Sequence, residues 1–89
     1  MNLSANWTLR VRNKVYREFS KFPRADQERM IDVIDNLPAD PYAGDLEKMK
    51  GETKTWRRRI GNYRIFYEII TEDKVIYVFR VERRTSHTY

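Results

Sequence analysis

The sequence predicts an α+β domain in the order β-α-α-β-β-β, a curved antiparallel sheet with a helical hairpin on one face. Three observations lead there. Two stretches between residues 12 and 37 repeat apolar side chains at helical spacing, and four shorter stretches alternate apolar and polar residues. Proline- and glycine-containing segments separate the helical part from the last three strands. An amphipathic hairpin and an antiparallel sheet each have one apolar face, and they close by packing those faces together. At 89 residues there is room for one core, so residues 1–89 read as a single domain.

Residues 6–11 alternate, with Trp7, Leu9 and Val11 on one side and Thr8 and Arg10 on the other, which describes a half-buried strand. From Arg12 the period changes. Val11, Val15, Phe19 and Phe22 recur at helical spacing among Arg12, Lys14, Arg17 and Lys21, so a first helix is expected over 12–22. Pro23 restarts the chain, because proline is accepted in a helix's first turn. A second helix is expected over 24–37, with an apolar stripe of Met30, Ile31, Val33, Ile34 and Leu37. Asp26, Gln27 and Glu28 sit near its start, where the helix dipole favours acidic residues, and Asn36, Pro38 and Pro41 end it.

Residues 38–54 read as a surface linker, pinned to the core by Leu46 and Met49. The next strand, 55–60, puts Trp56, Arg58 and Ile60 on one face and Arg57 and Arg59 on the other. Gly61-Asn62 suits a tight turn that needs a positive φ. The strand over 63–70 sets Tyr63, Ile65, Tyr67 and Ile69 against Arg64, Phe66, Glu68 and Ile70. Glu72-Asp73 turns the chain into a last strand over 74–81, rich in Val, Ile, Tyr and Phe. The helices take one face of this sheet, which leaves arginines on the other, concave face.

The net charge of +5 and pI of about 9.7 favour a nucleic acid, the ribosome or an acidic protein as partner. There is no cysteine, which excludes disulfides and thiolate chemistry, and a single histidine makes a structural zinc site a poor fit. No apolar run approaches the ~18 residues of a membrane span, and the N-terminus lacks a signal-peptide apolar region. The expected compartment is the cytoplasm, with no membrane partner.

Arg64 stands mid-strand between Tyr63 and Ile65, where a charge implies a solvated or functional face. A rigid strand suits arginines that must hold a phosphodiester. Arg57 and Arg59 share one face and grip phosphate or protect an edge, whereas Arg58 faces the other way and covers apolar surface with its stem. Lys48, Lys50 and Lys54 precede this strand as point charges for phosphate. A second basic cluster, Arg80, Arg83 and Arg84, follows before His87 and Tyr89. His87 is the one side chain whose ordinary pKa of ~6.5 suits proton transfer at neutral pH. Tyr89 can stack on a base or serve as acid or base if nearby arginines lower its pKa. Ser86 beside His87 is poor triad geometry, because neighbours on a strand point to opposite faces.

These residues together resemble the RelE/ParE superfamily of bacterial and archaeal toxins, most closely the RelE-type mRNA interferases. The resemblance covers nearly the whole chain. It is carried by Asn-Leu-Pro-Ala-Asp-Pro at 36–41 and Leu-Glu-Lys-Met-Lys-Gly at 46–51. It continues through Trp-Arg-Arg-Arg-Ile-Gly-Asn-Tyr-Arg-Ile-Phe-Tyr at 56–67 and Val-Glu-Arg-Arg at 81–84 with a tyrosine downstream. The resemblance implies a microbial-RNase-like fold and a toxin of a type II toxin–antitoxin system. Its implied activity is a metal-independent endoribonuclease, without cofactor, that cleaves mRNA in the ribosomal A site by attack of the ribose 2′-OH. The alternative within the superfamily is a ParE-like inhibitor of DNA gyrase without nuclease activity. The implied partners are a cognate antitoxin that wraps and blocks the toxin, mRNA and ribosomal RNA, with operator DNA reached through the antitoxin.

By the same resemblance, Arg64 contacts the scissile phosphate and Arg84 assists the leaving group. Lys48, Lys50 and Lys54 lie where the family's basic residues grip RNA; Arg57, Arg59 and Arg83 are read from the residues themselves as further RNA grips. Proton transfer falls to His87 or to Tyr89, the candidate for the family's C-terminal tyrosine, with His87 favoured on its pKa.

Overall fold

The computed structural model describes residues 7–84. The chain runs β1 (Thr8–Val11), α1 (Asn13–Phe19), α2 (Arg24–Asn36), β2 (Asp45–Lys48), β3 (Thr55–Ile60), β4 (Tyr63–Ile70) and β5 (Val75–Arg83). The five strands form one sheet in the order β1-β5-β4-β3-β2. The α+β class and the helical hairpin are as the sequence predicts. The sheet differs at both edges. β2 to β5 are antiparallel throughout, but β1 lies parallel to β5, so the sheet is mixed. Alternation along a strand reports which side chains are buried and carries no information on the direction of its neighbour. At the other edge, the segment expected to be a linker contains β2. It has a single apolar residue, Leu46, among charges, as suits a short, protected edge strand, and so it leaves little periodic signal.

α1 ends at Phe19, three residues before its expected end. The Ser20 hydroxyl donates to the Arg17 carbonyl at 2.7 Å. The chain then tightens through two i→i+3 bonds, Lys21 N–H to Glu18 O and Phe22 N–H to Phe19 O. Phe22 is still buried, with its ring 4.6 Å from that of Tyr63. Pro23 takes an extended conformation immediately before α2. Of the expected stripe on α2, Met30, Ile34 and Leu37 are buried and Val33 packs against them, whereas Ile31 is 41% exposed. Positions 30, 34 and 37 fall on one line of a 3.6-residue helix, and Ile31 lies about 100° away. Gly61 has φ +57, as the turn between β3 and β4 requires. Lys74 also has a positive φ and belongs to the turn, so β5 starts one residue later than expected.

The helices cover one face of the sheet. There Tyr63, Ile65, Tyr67 and Ile69 of β4 and Ile76, Val78 and Val81 of β5 meet Val15, Phe19, Met30, Ile34 and Leu37. Leu46 joins this core, as expected, but Met49 does not; it sits on the opposite face near Phe66. Tyr67 is fully buried and its hydroxyl donates to the Pro41 carbonyl at 2.9 Å, which ties the α2–β2 connection to the sheet. Burial pushes the Tyr67 phenol up to about 12, against a smaller lowering by the nearby Arg58 guanidinium. Because the folded pKa lies above the unfolded value of 10, this group's stabilising contribution is complete below pH 10 and is lost as pH rises toward 12. A denaturant titration repeated across pH 9–12 should show stability falling through that window. In Tyr67→Phe the part of the fall due to this group should be missing.

Arg58 lies on the core face as expected, packed against the turn that leads into β2. Gly44 there has φ +88, and a Cβ on it would stand 2.5 Å from Arg58 Nε and 2.7 Å from Cζ. Gly44→Ala should therefore cost about 1–2 kcal/mol, from the left-handed backbone and the displaced guanidinium. The check is a lower urea midpoint at unchanged m-value.

Candidate nucleic-acid interface on the open face of the sheet

The face away from the helices is built by register. Arg59 lies opposite Arg64, Arg57 opposite Phe66 and Thr55 opposite Glu68. On the next strand, Glu82 lies opposite Arg64, Arg80 opposite Phe66 and Tyr77 opposite Glu68. Asp45 and Glu47 of β2 face Arg59 and Arg57. Like charges placed directly opposite are unfavourable, so the Arg59/Arg64 pair needs counter-charge. It has it on both sides. Asp45 Oδ2 accepts from Arg59 Nε at 3.0 Å, and Glu82 Oε1 accepts from Arg64 Nη1 at 3.1 Å. Arg57 donates to Glu47, and Arg80 Nη2 donates to Glu82 Oε2 at 2.7 Å.

A β-bulge sets which residues of β5 reach this face. Phe66 pairs with Arg80 but Tyr67 pairs with Val78, so Phe79 has no partner on β4. Before the bulge, odd-numbered residues such as Tyr77 face the open side. After it, Arg80 and Glu82 do. Phe79 stays near the open face, its ring 6.4 Å from Phe66 and 6.3 Å from Tyr77. The Arg80 guanidinium rests 4.9 Å above the Phe66 ring.

The predicted residues divide accordingly. Arg57, Arg59 and Arg64 come together around a small cleft of about 70 Å³, with Asp45 and Glu47. Arg83, expected to grip RNA with them, does not join them. The bulge turns it to the core face, where its guanidinium lies 5.9 Å from the Tyr63 ring centroid. Arg84 follows β5 and is exposed, its N–H donating to the carbonyl of Asn62, two residues before Arg64, at the end of the sheet where β4 begins. Among the three lysines, Lys50 lines an open-face groove with Phe66 and Arg80. Lys48 pairs in register with Trp56 and so lies on the core-facing side, away from Arg64. Lys54 is exposed; its carbonyl accepts from Ile69 N–H. His87 and Tyr89 lie outside the described residues. Arg80 and Glu82 are absent from the sequence-based site, although their i, i+2 spacing places them on one face of a strand.

The register places Arg10, Arg57, Arg59, Arg64 and Arg80 on the open face together with Asp45, Glu47, Glu68 and Glu82. Among the described strand residues, five cations against four anions leave a local excess of one, so bulk charge alone gives this face little pull on an anion. Tyr63 is no proton carrier for it. Its hydroxyl donates to Asp26 at 2.6 Å on the core side, and burial, reinforced by that bond, raises its pKa further from neutrality.

A helical hairpin packs on one face of a small sheet whose other face carries strand-borne arginines, an architecture shared with solved structures of the RelE-like toxin fold. Comparison with known proteins agrees. The family model described as ParE toxin of type II toxin-antitoxin system, parDE, matches residues 6–87. The chain belongs to this family, within the RelE/ParE toxin superfamily. It is 22% identical over 81 residues to a putative toxin RelE1 of Methanocaldococcus jannaschii, covering 88% of this chain and 90% of the relative. Its fold matches the archaeal RelE–RelB complex from Pyrococcus horikoshii OT3 with TM-score 0.79 and 24% identity, over 92% of this chain and 99% of that one. The isolated E. coli RelE toxin matches with TM-score 0.74 and 18% identity, over 91% and 87%. Among the described residues no helix is long and apolar enough to cross a membrane.

Proposed function

We propose that this type II toxin is an endoribonuclease that cleaves mRNA in the ribosomal A site, with no metal or cofactor taking part. The observation that carries the reading is Arg64, held near the start of the sheet's middle strand with Arg59 opposite it and Arg80 reached through Glu82. Substrate-facing guanidiniums on strands are pre-organised for charge that develops in a transition state.

In the proposed reaction the 2′-oxygen next to the scissile bond attacks phosphorus and the P–O5′ bond breaks. The 2′-hydroxyl proton leaves to a base and the 5′-oxygen receives one, giving a 2′,3′-cyclic phosphate and a 5′-hydroxyl. Arg64 binds the non-bridging oxygens as charge builds on the pentacoordinate phosphorane, and Arg84 supports the leaving oxygen. Arg57, Arg59 and Lys50 hold the flanking backbone. Arginine is a poor proton carrier because its pKa exceeds ~12, so proton transfer falls to His87 or Tyr89, with His87 preferred. The ribosome positions the message. An antitoxin protein is the proposed regulator, by likeness to the RelE–RelB complex, and operator DNA is proposed to be reached through it.

The second reading, gyrase inhibition, draws on the description of the family model as a ParE toxin. Primer extension on mRNA under active translation separates the two. Cuts that appear with the wild-type chain and vanish with Arg84→Ala and His87→Ala support the nuclease. Absence of cuts, together with blocked supercoiling by purified gyrase, would replace it. Cleavage that survives His87→Ala alone moves the proton-transfer role to Tyr89.

A further inference from the structure

We propose that Arg64 and Arg80 form a cradle for one RNA backbone phosphate, and that Glu82 is its internal anion, displaced when RNA binds. The proposal rests on the reading of the open face as an RNA surface. It adds a phosphate-binding residue, Arg80, and a built-in competitor, Glu82.

The geometry is that of one anion held by two guanidiniums. Glu82 gives one carboxylate oxygen to each, Oε1 to Arg64 Nη1 at 3.1 Å and Oε2 to Arg80 Nη2 at 2.7 Å. A phosphodiester also carries a single negative charge and also presents two free oxygens. Two arginines that hold the carboxylate in this way are therefore set to hold the phosphate. The arrangement survives departure of Glu82. Arg80 keeps its place on the Phe66 ring, and Phe66 is itself buried. Arg64 issues from β4, hydrogen-bonded between β3 and β5, one residue from the strand's start.

Glu82 is also free to leave. Its side chain and that of Arg64 are 29% and 28% exposed, and that of Arg80 is 59% exposed. The Arg80 pair is exposed, weak and screened by salt, and the Arg64 pair, though part-buried, is still in contact with solvent. Only a side-chain rotation is needed, since the Glu82 backbone stays in register opposite Arg64. In the free chain the carboxylate offsets the repulsion among Arg59, Arg64 and Arg80. In the complex a phosphate does so. A resident anion also raises the threshold for binding, so that a lone anion competes poorly and a polyanion with many contacts succeeds.

The test measures affinity of the full chain for a 2′-O-methyl oligoribonucleotide, which lacks the attacking hydroxyl, by fluorescence anisotropy over a range of salt. Glu82→Gln should bind about tenfold more tightly, because the two ion pairs of Glu82 no longer compete. Its plot of log affinity against log salt should steepen by about 0.7, since the site then presents one more net positive charge to a single strand. Arg80→Ala should weaken binding and should erase the gain when combined with Glu82→Gln. Glu72→Gln, the same charge change in the β4–β5 turn, should give neither effect. If Glu82→Gln merely matches Glu72→Gln, or binds less tightly, while Arg64→Ala still weakens binding, the cradle is wrong and the RNA surface stands. If Arg64→Ala leaves affinity unchanged, the RNA surface itself is wrong and the cradle falls with it.

Discussion

Arg64→Ala should reduce mRNA cleavage by about 10²–10³-fold, the usual effect of deleting a preorganised group that stabilises transition-state charge. The fold should be nearly unaffected. Arg64 faces away from the core, and its loss leaves Glu82 still paired with Arg80 and relieves the cross-strand repulsion from Arg59. The side chain is part-buried and loses one ion pair, so the cost should stay within about 1 kcal/mol. Arg64→Lys should recover only part of the rate, since an ammonium restores the charge but not the planar two-donor contact. Primer extension of translated mRNA, with a thermal melt of each variant, checks both halves. A variant that cleaves normally, or that loses activity only by unfolding, counts against the assigned role.

Tyr67→Ala should have the largest effect on stability, about 3–5 kcal/mol. Tyr67 is the largest fully buried side chain and stands where β3, β4 and β5 meet, opposite Trp56 on one side and Val78 on the other. Its removal opens a cavity at the centre of the core and releases the Pro41 carbonyl, so the connection between α2 and β2 loses its anchor. A domain of this size has roughly 5–15 kcal/mol in total, so the variant should be largely unfolded at 37 °C. Tyr67→Phe separates the two contributions. It keeps the ring and loses only the hydrogen bond, for about 1 kcal/mol. Urea unfolding of the pair should show that ordering, and equal losses in both would mean that the hydrogen bond, not the ring, is the main support.

Much of this architecture is legible in the residues. The change from period two to period 3.6 near Arg12 marks the entry into α1, and β3 and β4 fall where alternation places them. The resemblance carried by 56–67 leads to the family. The face of Arg57, Arg59 and Arg64 is legible too, because a continuous strand obeys strict alternation. Two features show why the rest was not legible. β2 has four residues and one apolar side chain, too little to show a period. Arg83 was expected among the RNA grips, and which face of the sheet it takes is set by a bulge four residues earlier that leaves no mark in local composition.

The sequence by itself determined the element order, the apolar faces that must meet, and an open face bearing arginines, because these follow from repeats a few residues long. The tertiary structure alone decided the partners of those arginines. Arg64 meets Glu82 across 18 residues of chain and Arg59 meets Asp45 across 14. Such pairs depend on strand order and register, which long-range packing settles. One unpaired residue, Phe79, turns Arg80 and Glu82 toward Arg64 and Arg83 away from it, because side-chain direction in a strand has a period of two and a single insertion inverts all that follows.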